Sequence, residues 1–338
     1  MKKIALILGL SVALTGLCAC SNKESSSEGD EKKESVVFDD SSVVMYVDDD
    51  KIRYSDIAFY EYYLKNKYSF FGDELWQYEI PESGSLQQEV SSSLSDYIVE
   101  MNIISKEAKS QNIALTDDER EEMYEKADEL NASISTEDKE KYSIGVQKIQ
   151  EIMEENLLAQ KLYLSVTDGV GEDISEDDVR VANIEYIKVM THDTDKNGTA
   201  IDLSDADEDA AYKKMQGYKK KIDKGFDFLQ LARMSSDSAD VKASIYKGYS
   251  GLSEGVVNAA MDLKKGEISQ IIEDDTGFYL IRCSNNYDED LSAERKNQMA
   301  EELKEESFKK AYGEWSKDVE VMLNDEFWSD FNIVSGDV

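Results

Sequence analysis

Few residues in this 338-residue chain have the type and spacing that chemistry requires. The single histidine, His192, has no serine or cysteine near it in a motif that would pair a nucleophile with a base. Asp193 to Gly198 matches the beginning of a calcium-binding loop, but Ser204 stands where such a loop ends in glutamate. A tight Asn-Gly turn explains the same residues and is preferred to a calcium site. We therefore expect no metal and no cofactor.

The N-terminus predicts export. Met1-Lys2-Lys3 precedes an apolar run from Ile4 to Leu17, which is too short to span a bilayer core and is typical of a secretory signal. The sequence Leu17-Cys18-Ala19-Cys20 resembles a lipobox, where bacterial lipoproteins are cleaved and lipidated. We expect residues 1–19 to be the signal peptide and Cys20 to carry the lipid that anchors the protein outside the cytoplasm. An ordinary cleaved signal with an incidental cysteine is the alternative.

Acidic residues dominate the composition, with 73 Asp and Glu against 38 Lys and Arg and a net charge of -35. Nucleic-acid binders need a basic face, so nucleic acid is excluded as a partner. Residues 21–35 contain no apolar side chain, and we predict a flexible tether over residues 20–40. In the mature chain Cys283 is the only cysteine besides Cys20, which predicts no internal disulfide.

The first half of the chain is predicted to be mostly helical. Val43–Val47 is typical of a short strand, and Ser55-Asp56 predicts the cap of an aromatic-rich helix. Apolar residues recur every three or four positions from Leu86 to Ser105 and again from Val146 to Leu164, which indicates two amphipathic helices. Thr116 to Glu119 forms a capping-box pattern that predicts another helix.

The second half has a different pattern, introduced by a capping sequence at Ser175 to Asp178. The predicted strands and helices follow the order β-α-α-α-β-β, which indicates an α+β domain around a small sheet. In chain order they are Val181–Val189, Ala206–Lys224, Phe226–Met234, Val256–Leu263, Ile268–Ile272 and Gly277–Arg282. Glu294 to Val321 is again predicted to be helical, with Val319–Leu323 as an alternative strand.

Three blocks in this second half resemble the parvulin family of peptidyl-prolyl isomerases. Phe226 to Asp237 resembles the motif F-x-x-L-A-x-x-x-S-D, and Ala259 to Ser269 resembles A-A-F-x-L-K-x-G-E-I-S. Thr276 to Arg282 resembles F-G-Y-H-I-I-K. The flanks are similar to PrsA- and SurA-type foldases, because Val43 to Ile52 resembles their V-V-A-x-V-N-G-x-x-I opening and Ile103 to Glu119 their helix hairpin.

The resemblance implies an α+β chain in which a helical chaperone domain, of the SurA and trigger-factor type, contains an inserted parvulin-like domain. That domain has a small antiparallel sheet with flanking helices. On this basis residues 41–175 form the N-terminal helical chaperone domain and residues 176–286 the parvulin-like domain. Residues 287–338 form a C-terminal helix that packs back on the N-terminal domain.

The residues that the family uses in catalysis have changed. The two histidines of the family map onto Tyr186, or Asn183 if the strand is shifted, and onto Tyr279. The family's aspartate or cysteine maps onto Ser238. The proline pocket of the family maps onto an apolar set that consists of Leu252, Val256 and Met261. We expect the fold to be retained and the isomerase activity to be weak or lost.

The resemblance implies an extracytoplasmic foldase or chaperone whose partners are unfolded, newly secreted polypeptides. The aromatic residues between Phe59 and Tyr78 either pack in the core or contact such clients. The rival hypothesis is a solute-binding lipoprotein of a transporter, which requires two α/β lobes with parallel strands and a hinge. The long helical first half disfavours that rival. A purely structural surface protein is a third possibility.

Overall fold

The computed structural model describes residues 38–80, 84–194, 200–202 and 204–331. It divides into two compact units, a helical unit of Met1–Asp168 with Ser307–Val338, and a sheet unit of Gly169–Glu306. The sheet unit is thus inserted in the chain of the helical unit, and the predicted α+β class is confirmed. Residues 1–37, with the predicted signal peptide, Cys20 and most of the predicted tether, lie outside the described residues.

The helices and strands of the described residues are numbered here in chain order. They are β1 Val43–Val47, β2 Asp50–Arg53, α1 Tyr54–Tyr68, two 3₁₀ turns at Ser69–Phe71 and Asp73–Gln77, β3 Glu79–Ile80, β4 Gly84–Ser85, α2 Leu86–Ser110, α3 Asp117–Ser133, α4 Thr136–Lys141, α5 Val146–Val166, α6 Glu176–Val179, β5 Ala182–Met190, β6 His192–Thr194, β7 Ala200–Asp202, α7 Asp205–Asp223, α8 Phe228–Ser235, β8 Lys242–Ile245, α9 Glu254–Met261, β9 Ile272–Asp274, β10 Gly277–Asn285, α10 Glu289–Ser316, β11 Val321–Leu323 and α11 Asp325–Asp330.

Several helices begin where side chains can satisfy their first backbone N–H groups. Thr116 caps α3 and Glu119 completes the predicted capping box, and Ser175 caps α6 as its sequence indicates. The predicted cap of α1 at Ser55-Asp56 is wrong, because α1 already begins at Tyr54. Asp56 is instead the third residue of the helix, and its carboxylate accepts the backbone N–H of Arg53 at 2.8 Å. This contact places the cap at Arg53, two residues before Ser55.

A three-stranded antiparallel sheet in the order β11-β1-β2 lies in the helical unit. The strand alternative at Val319–Leu323 corresponds to β11, which returns from the C-terminal part of the chain to pair with β1. Phe38 packs edge-on against Phe327 with ring centroids 5.1 Å apart. The last residues of the span predicted as tether therefore belong to the folded unit.

The aromatic segment of the helical unit divides into buried and exposed parts. Phe59, Tyr60 and Trp76 are buried in its core. Phe70 is 91% exposed, and its neighbour Phe71 is also exposed. The core thus accounts for only part of this segment.

The sheet unit is built on a four-stranded antiparallel sheet in the order β8-β5-β10-β9. The predicted last strand, Gly277–Arg282, lies within β10. Alternate residues of β5 and β10 point to opposite faces. One face packs on α9 and the other on α7 and α8, so the sheet separates two small cores.

Two strand predictions for this unit need correction. The strand predicted at Ile268–Ile272 forms only from Ile272, and Ile268 makes a single bridge to Arg282. The cause is Ser269, whose hydroxyl oxygen accepts the N–H of Ile281 at 3.0 Å and takes the place of a backbone carbonyl in the ladder. The strand β8 was not predicted, because Lys242–Ile245 is short and partly exposed.

His192 lies on β6, which pairs with β7 in a short antiparallel ladder. The residues of the calcium-loop pattern from 195 to 198 lie outside the described residues. Among the residues that are described, no group of three or more His, Cys, Asp or Glu side chains is placed to hold a metal ion.

A carboxyl group is fully buried in the helical unit at Glu61. The hydroxyl of Tyr54 donates to one carboxylate oxygen at 2.8 Å, and the other oxygen has no hydrogen-bond partner among the described residues. Burial raises the pKa of Glu61 from 4.5 to about 7, against the opposing effects of the Tyr54 hydrogen bond and of Lys65 and Lys141. Ionisation of Glu61 therefore opposes folding.

Glu61→Gln should raise the free energy of unfolding more at pH 8 than at pH 4.5. Below pH 4.5 the carboxyl is neutral in both states, whereas from pH 4.5 to about 7 the unfolded chain ionises first and stability falls as the pH rises. The difference between the two pKa values corresponds to about 3 kcal/mol in the free energy of unfolding, since a tenfold change in proton affinity equals about 1.4 kcal/mol. Urea denaturation of both proteins at several pH values measures the difference.

Glu121→Gln, at an exposed position of α3, is the matched control for the loss of one carboxyl. A stability difference between Glu61→Gln and the native chain that stays constant from pH 4.5 to 8 would show that Glu61 is not protonated in the folded state.

Candidate active site

The two tyrosines at the predicted histidine positions lie side by side on the central strands of the sheet unit. Tyr186 on β5 is opposite Ile281, and Tyr279 on β10 is opposite Lys188. Directly opposed residues point to the same face, so both rings lie on the face that α9 covers. Their centroids are 6.3 Å apart with a tilt of 42°. The sheet register thus brings the two predicted positions together.

The hydroxyl of Tyr279 is fixed by the turn between β9 and β10. It lies 2.8 Å from the Oγ1 of Thr276, and Thr276 donates its N–H and hydroxyl to the carboxylate of Asp274. Ser253 donates to the other oxygen of Asp274 at 2.7 Å. Burial acts to raise the pKa of Asp274, but the hydrogen bonds from Ser253 and Thr276 outweigh it and hold that pKa below its usual value.

The third predicted position, Ser238, lies 3.4 Å from the hydroxyl of Tyr186, measured between their oxygens. The loop before it is tied to β5, because Asp237 accepts the N–H of Met190 at 3.0 Å and the Ser236 hydroxyl accepts the N–H of Lys188 at 3.1 Å. The predicted set of Tyr186, Ser238 and Tyr279 is therefore contiguous.

The predicted proline pocket adjoins these groups. Val256 and Met261 on α9 are buried against Tyr186, Tyr279 and Ile281, and Leu252 packs partly buried against the same cluster. Both tyrosine rings are themselves buried. The apolar side chains therefore form a nearly closed surface, and only a small part of it is accessible for a proline ring.

The sequence interpretation missed Lys188. Its ammonium group lies 5.3 Å from the centroid of the Tyr279 ring, in the position of a cation–π contact. The alternation of β5 could have found it, because Lys188 is two residues from Tyr186 and shares its face. The site thus offers hydroxyl groups, one ammonium group and a dry apolar surface.

Residues 194–285 match the family model of the rotamase or PPIC-type PPIASE domain. The chain contains a parvulin-type domain. The matched residues include Ser238 and Tyr279, whereas β5 with Tyr186 precedes them. His192 lies just before the match, on β6.

Relatives of the chain are foldases and chaperones. It is 22% identical to the foldase protein PrsA of Clostridium botulinum over 94% of this chain and 95% of that protein. It is 31% identical over 117 residues to the chaperone SurA of Dechloromonas aromatica, so the match spans about a quarter (26%) of that relative's length. The solved structure of PrsA from Lactococcus lactis is 14% identical, with a TM-score of 0.35 over 86% of this chain and 99% of that chain. The chain is thus similar to PrsA- and SurA-type foldases.

A buried ion pair links the two central strands of the parvulin-type domain on the face opposite the tyrosines. The Glu185 side chain is only 6% exposed, and Arg282 donates to its carboxylate from Nε at 2.8 Å and from a second guanidinium nitrogen. The guanidinium also lies 5.4 Å from the centroid of the Phe228 ring. The pair therefore holds β5, β10 and α8 together directly behind the candidate site.

Arg282→Met should destabilise the parvulin-type domain by about 3 kcal/mol, because the buried Glu185 carboxylate would keep only the exposed Lys242, whose Nζ lies 3.9 Å away. Adding Glu185→Leu removes that charge and should restore a large part of the loss. Urea denaturation of the native chain, both single variants and the double variant gives the four stabilities of a double-mutant cycle. Additive losses in the double variant would show that the two side chains stabilise the domain independently.

Proposed function

We propose that this protein is an extracytoplasmic, membrane-anchored foldase that binds newly secreted, unfolded polypeptides. The observation that carries the proposal is the parvulin-type domain inserted in a helical unit, together with similarity to a PrsA foldase along almost the whole chain. The anchor in this proposal is the lipid on Cys20. None of the helices among the described residues is long and apolar enough to cross a membrane.

The exposed aromatic tip, formed by the ring pair of Phe70 and Phe71, is the proposed client contact in the helical unit, and Tyr78 is exposed seven residues further along the chain. All three side chains are exposed, and the rings of Phe70 and Phe71 pack edge-on with centroids 5.6 Å apart. Exposed aromatic groups give up water readily and accept many partner shapes. The tip is thus suited to unfolded chains, which present apolar side chains without a fixed geometry.

The proposed isomerase activity of the parvulin-type domain is weak or lost. Prolyl isomerisation requires the amide to lose its resonance, against a barrier of roughly 18–20 kcal/mol. The apolar surface of Val256 and Met261 favours that loss, but Ser238 carries no negative charge, and two tyrosines replace the imidazoles. The domain then acts mainly as a second polypeptide-binding surface.

The rival hypothesis of a solute-binding lipoprotein requires parallel strands in two lobes. The strand pairs in the described part of the chain are antiparallel. That pairing supports the foldase proposal.

The purified protein should suppress the aggregation of reduced α-lactalbumin. This client is acidic, so charge attraction to the acidic chain cannot explain the suppression. Phe70→Ser with Phe71→Ser should lower that suppression at least threefold, because it removes the exposed aromatic tip. Light scattering at several molar ratios measures the effect. Leu164→Ser, at an exposed apolar position of α5, is the matched control. No suppression by the native chain at a fourfold molar excess would contradict the foldase proposal.

In a protease-coupled assay on a short X-Pro peptide, the turnover should be at least about 100-fold below that of an ordinary parvulin, which is about 2.7 kcal/mol in the barrier. Tyr212→Phe, on the opposite face of the sheet, is the control variant. A turnover equal to that of an ordinary parvulin, abolished by Tyr279→Ala in a folded protein, would disprove the predicted loss of activity.

A further inference from the structure

One edge of the sheet in the helical unit presents free backbone groups. The strand β11 pairs with β1 in a register that places Met322 opposite Tyr46. Backbone bonds from Asp48 to Glu320 at 2.8 Å and from Asn324 to Val44 at 3.0 Å show that the even-numbered residues of this segment face β1. By the alternation of antiparallel pairs, the N–H and C=O groups of Val321 and Leu323 point away from β1. Within the described residues no strand lies on that side.

The side chains of this edge strand are unusually apolar and exposed. Val321, Met322 and Leu323 are 43%, 58% and 45% exposed. Proteins normally protect a free edge with charges, proline or a bulge. The opposite edge of the same sheet follows that rule, because β2 has the sequence Asp-Lys-Ile-Arg. The sheet is therefore protected at one edge and open at the other.

A cavity of about 660 Å³ continues from the open edge. Its apolar wall includes Leu323, Trp328 and Phe331, and the facing wall on α2 consists of serine and glutamine side chains. The indole N–H of Trp328 donates to the carbonyl oxygen of Val44 at 3.0 Å, which fixes the ring. The cavity thus has room for apolar side chains beside a polar wall, in which Gln87 already donates to Ser91 and to the carbonyl oxygen of Phe331.

We propose that the open edge, Val321–Leu323, binds an extended apolar segment of a polypeptide as an additional strand. The segment exchanges backbone hydrogen bonds with Val321 and Leu323, and its side chains on the Leu323 face enter the cavity. An extended polypeptide is the partner that fits, because it alone repeats N–H and C=O groups at the two-residue spacing of the edge. The inference rests on the proposed foldase function, which supplies unfolded chains as partners.

The test uses the full mature chain and a fluorescein-labelled octapeptide of alternating valine and threonine, measured by fluorescence anisotropy. Val321→Pro should weaken binding at least tenfold, because proline removes an outward N–H and adds a ring at the edge. The pairing with β1 does not use that N–H, and edge strands tolerate proline. Val321→Thr keeps the N–H and the branched shape, and it should change binding by less than threefold.

A competitor with four consecutive N-methylated residues tests the same point without a variant. It should compete at least tenfold less well than the unmodified peptide, because it cannot donate backbone hydrogen bonds. Equal competition by both peptides, or native-like binding by a folded Val321→Pro variant, would overturn the inference and leave the foldase proposal standing. If the native chain binds no peptide but forms dimers that Val321→Pro abolishes, the edge pairs with a second copy and the inference is wrong. Failure to bind peptide and to suppress aggregation would remove both proposals.

Discussion

The pairing of β5 with β10 is the constraint on which the parvulin-type domain depends. Each strand has nine residues, and together they form the centre of the sheet that separates the two small cores. Gly277 fixes one end of the register, since it adopts φ +150° and an added Cβ would lie 2.3 Å from the carbonyl oxygen of Val189. A slip of one residue would move Tyr279 to the opposite face. The candidate site exists only because this register is kept.

The same pairing explains how the candidate site keeps its shape with a tyrosine on each central strand. Tyr186 and Tyr279 fill their positions as buried rings, and each hydroxyl finds a neighbouring hydroxyl, Ser238 in one case and Thr276 in the other. Packing and hydrogen bonding are therefore satisfied without an imidazole.

Sequence reasoning succeeded where one local pattern decides the outcome. The cap at Thr116 and the strand over Gly277–Arg282 follow from short-range rules, capping geometry and alternation. It failed where a tertiary partner decides: the Ser269 hydroxyl interrupts a strand, and Glu185 is buried only because Arg282 lies on the neighbouring strand. The alternation of β5 places Lys188 on the face of Tyr186, but its contact with the Tyr279 ring depends on cross-strand pairing, which no linear motif contains.

The two buried carboxyl groups show how differently the two units handle polar groups. Glu185 is nearly fully buried and has the guanidinium of Arg282 as its partner, on the face of the sheet opposite the candidate site. Glu61 has the hydroxyl of Tyr54 and one oxygen without a partner among the described residues, so burial favours its neutral form. With a net charge of -35, the protein can remain soluble while it exposes apolar groups such as Phe70. A strong net charge combined with a few exposed apolar groups suits the proposed binding of unfolded chains, because such groups must stay exposed without causing self-association.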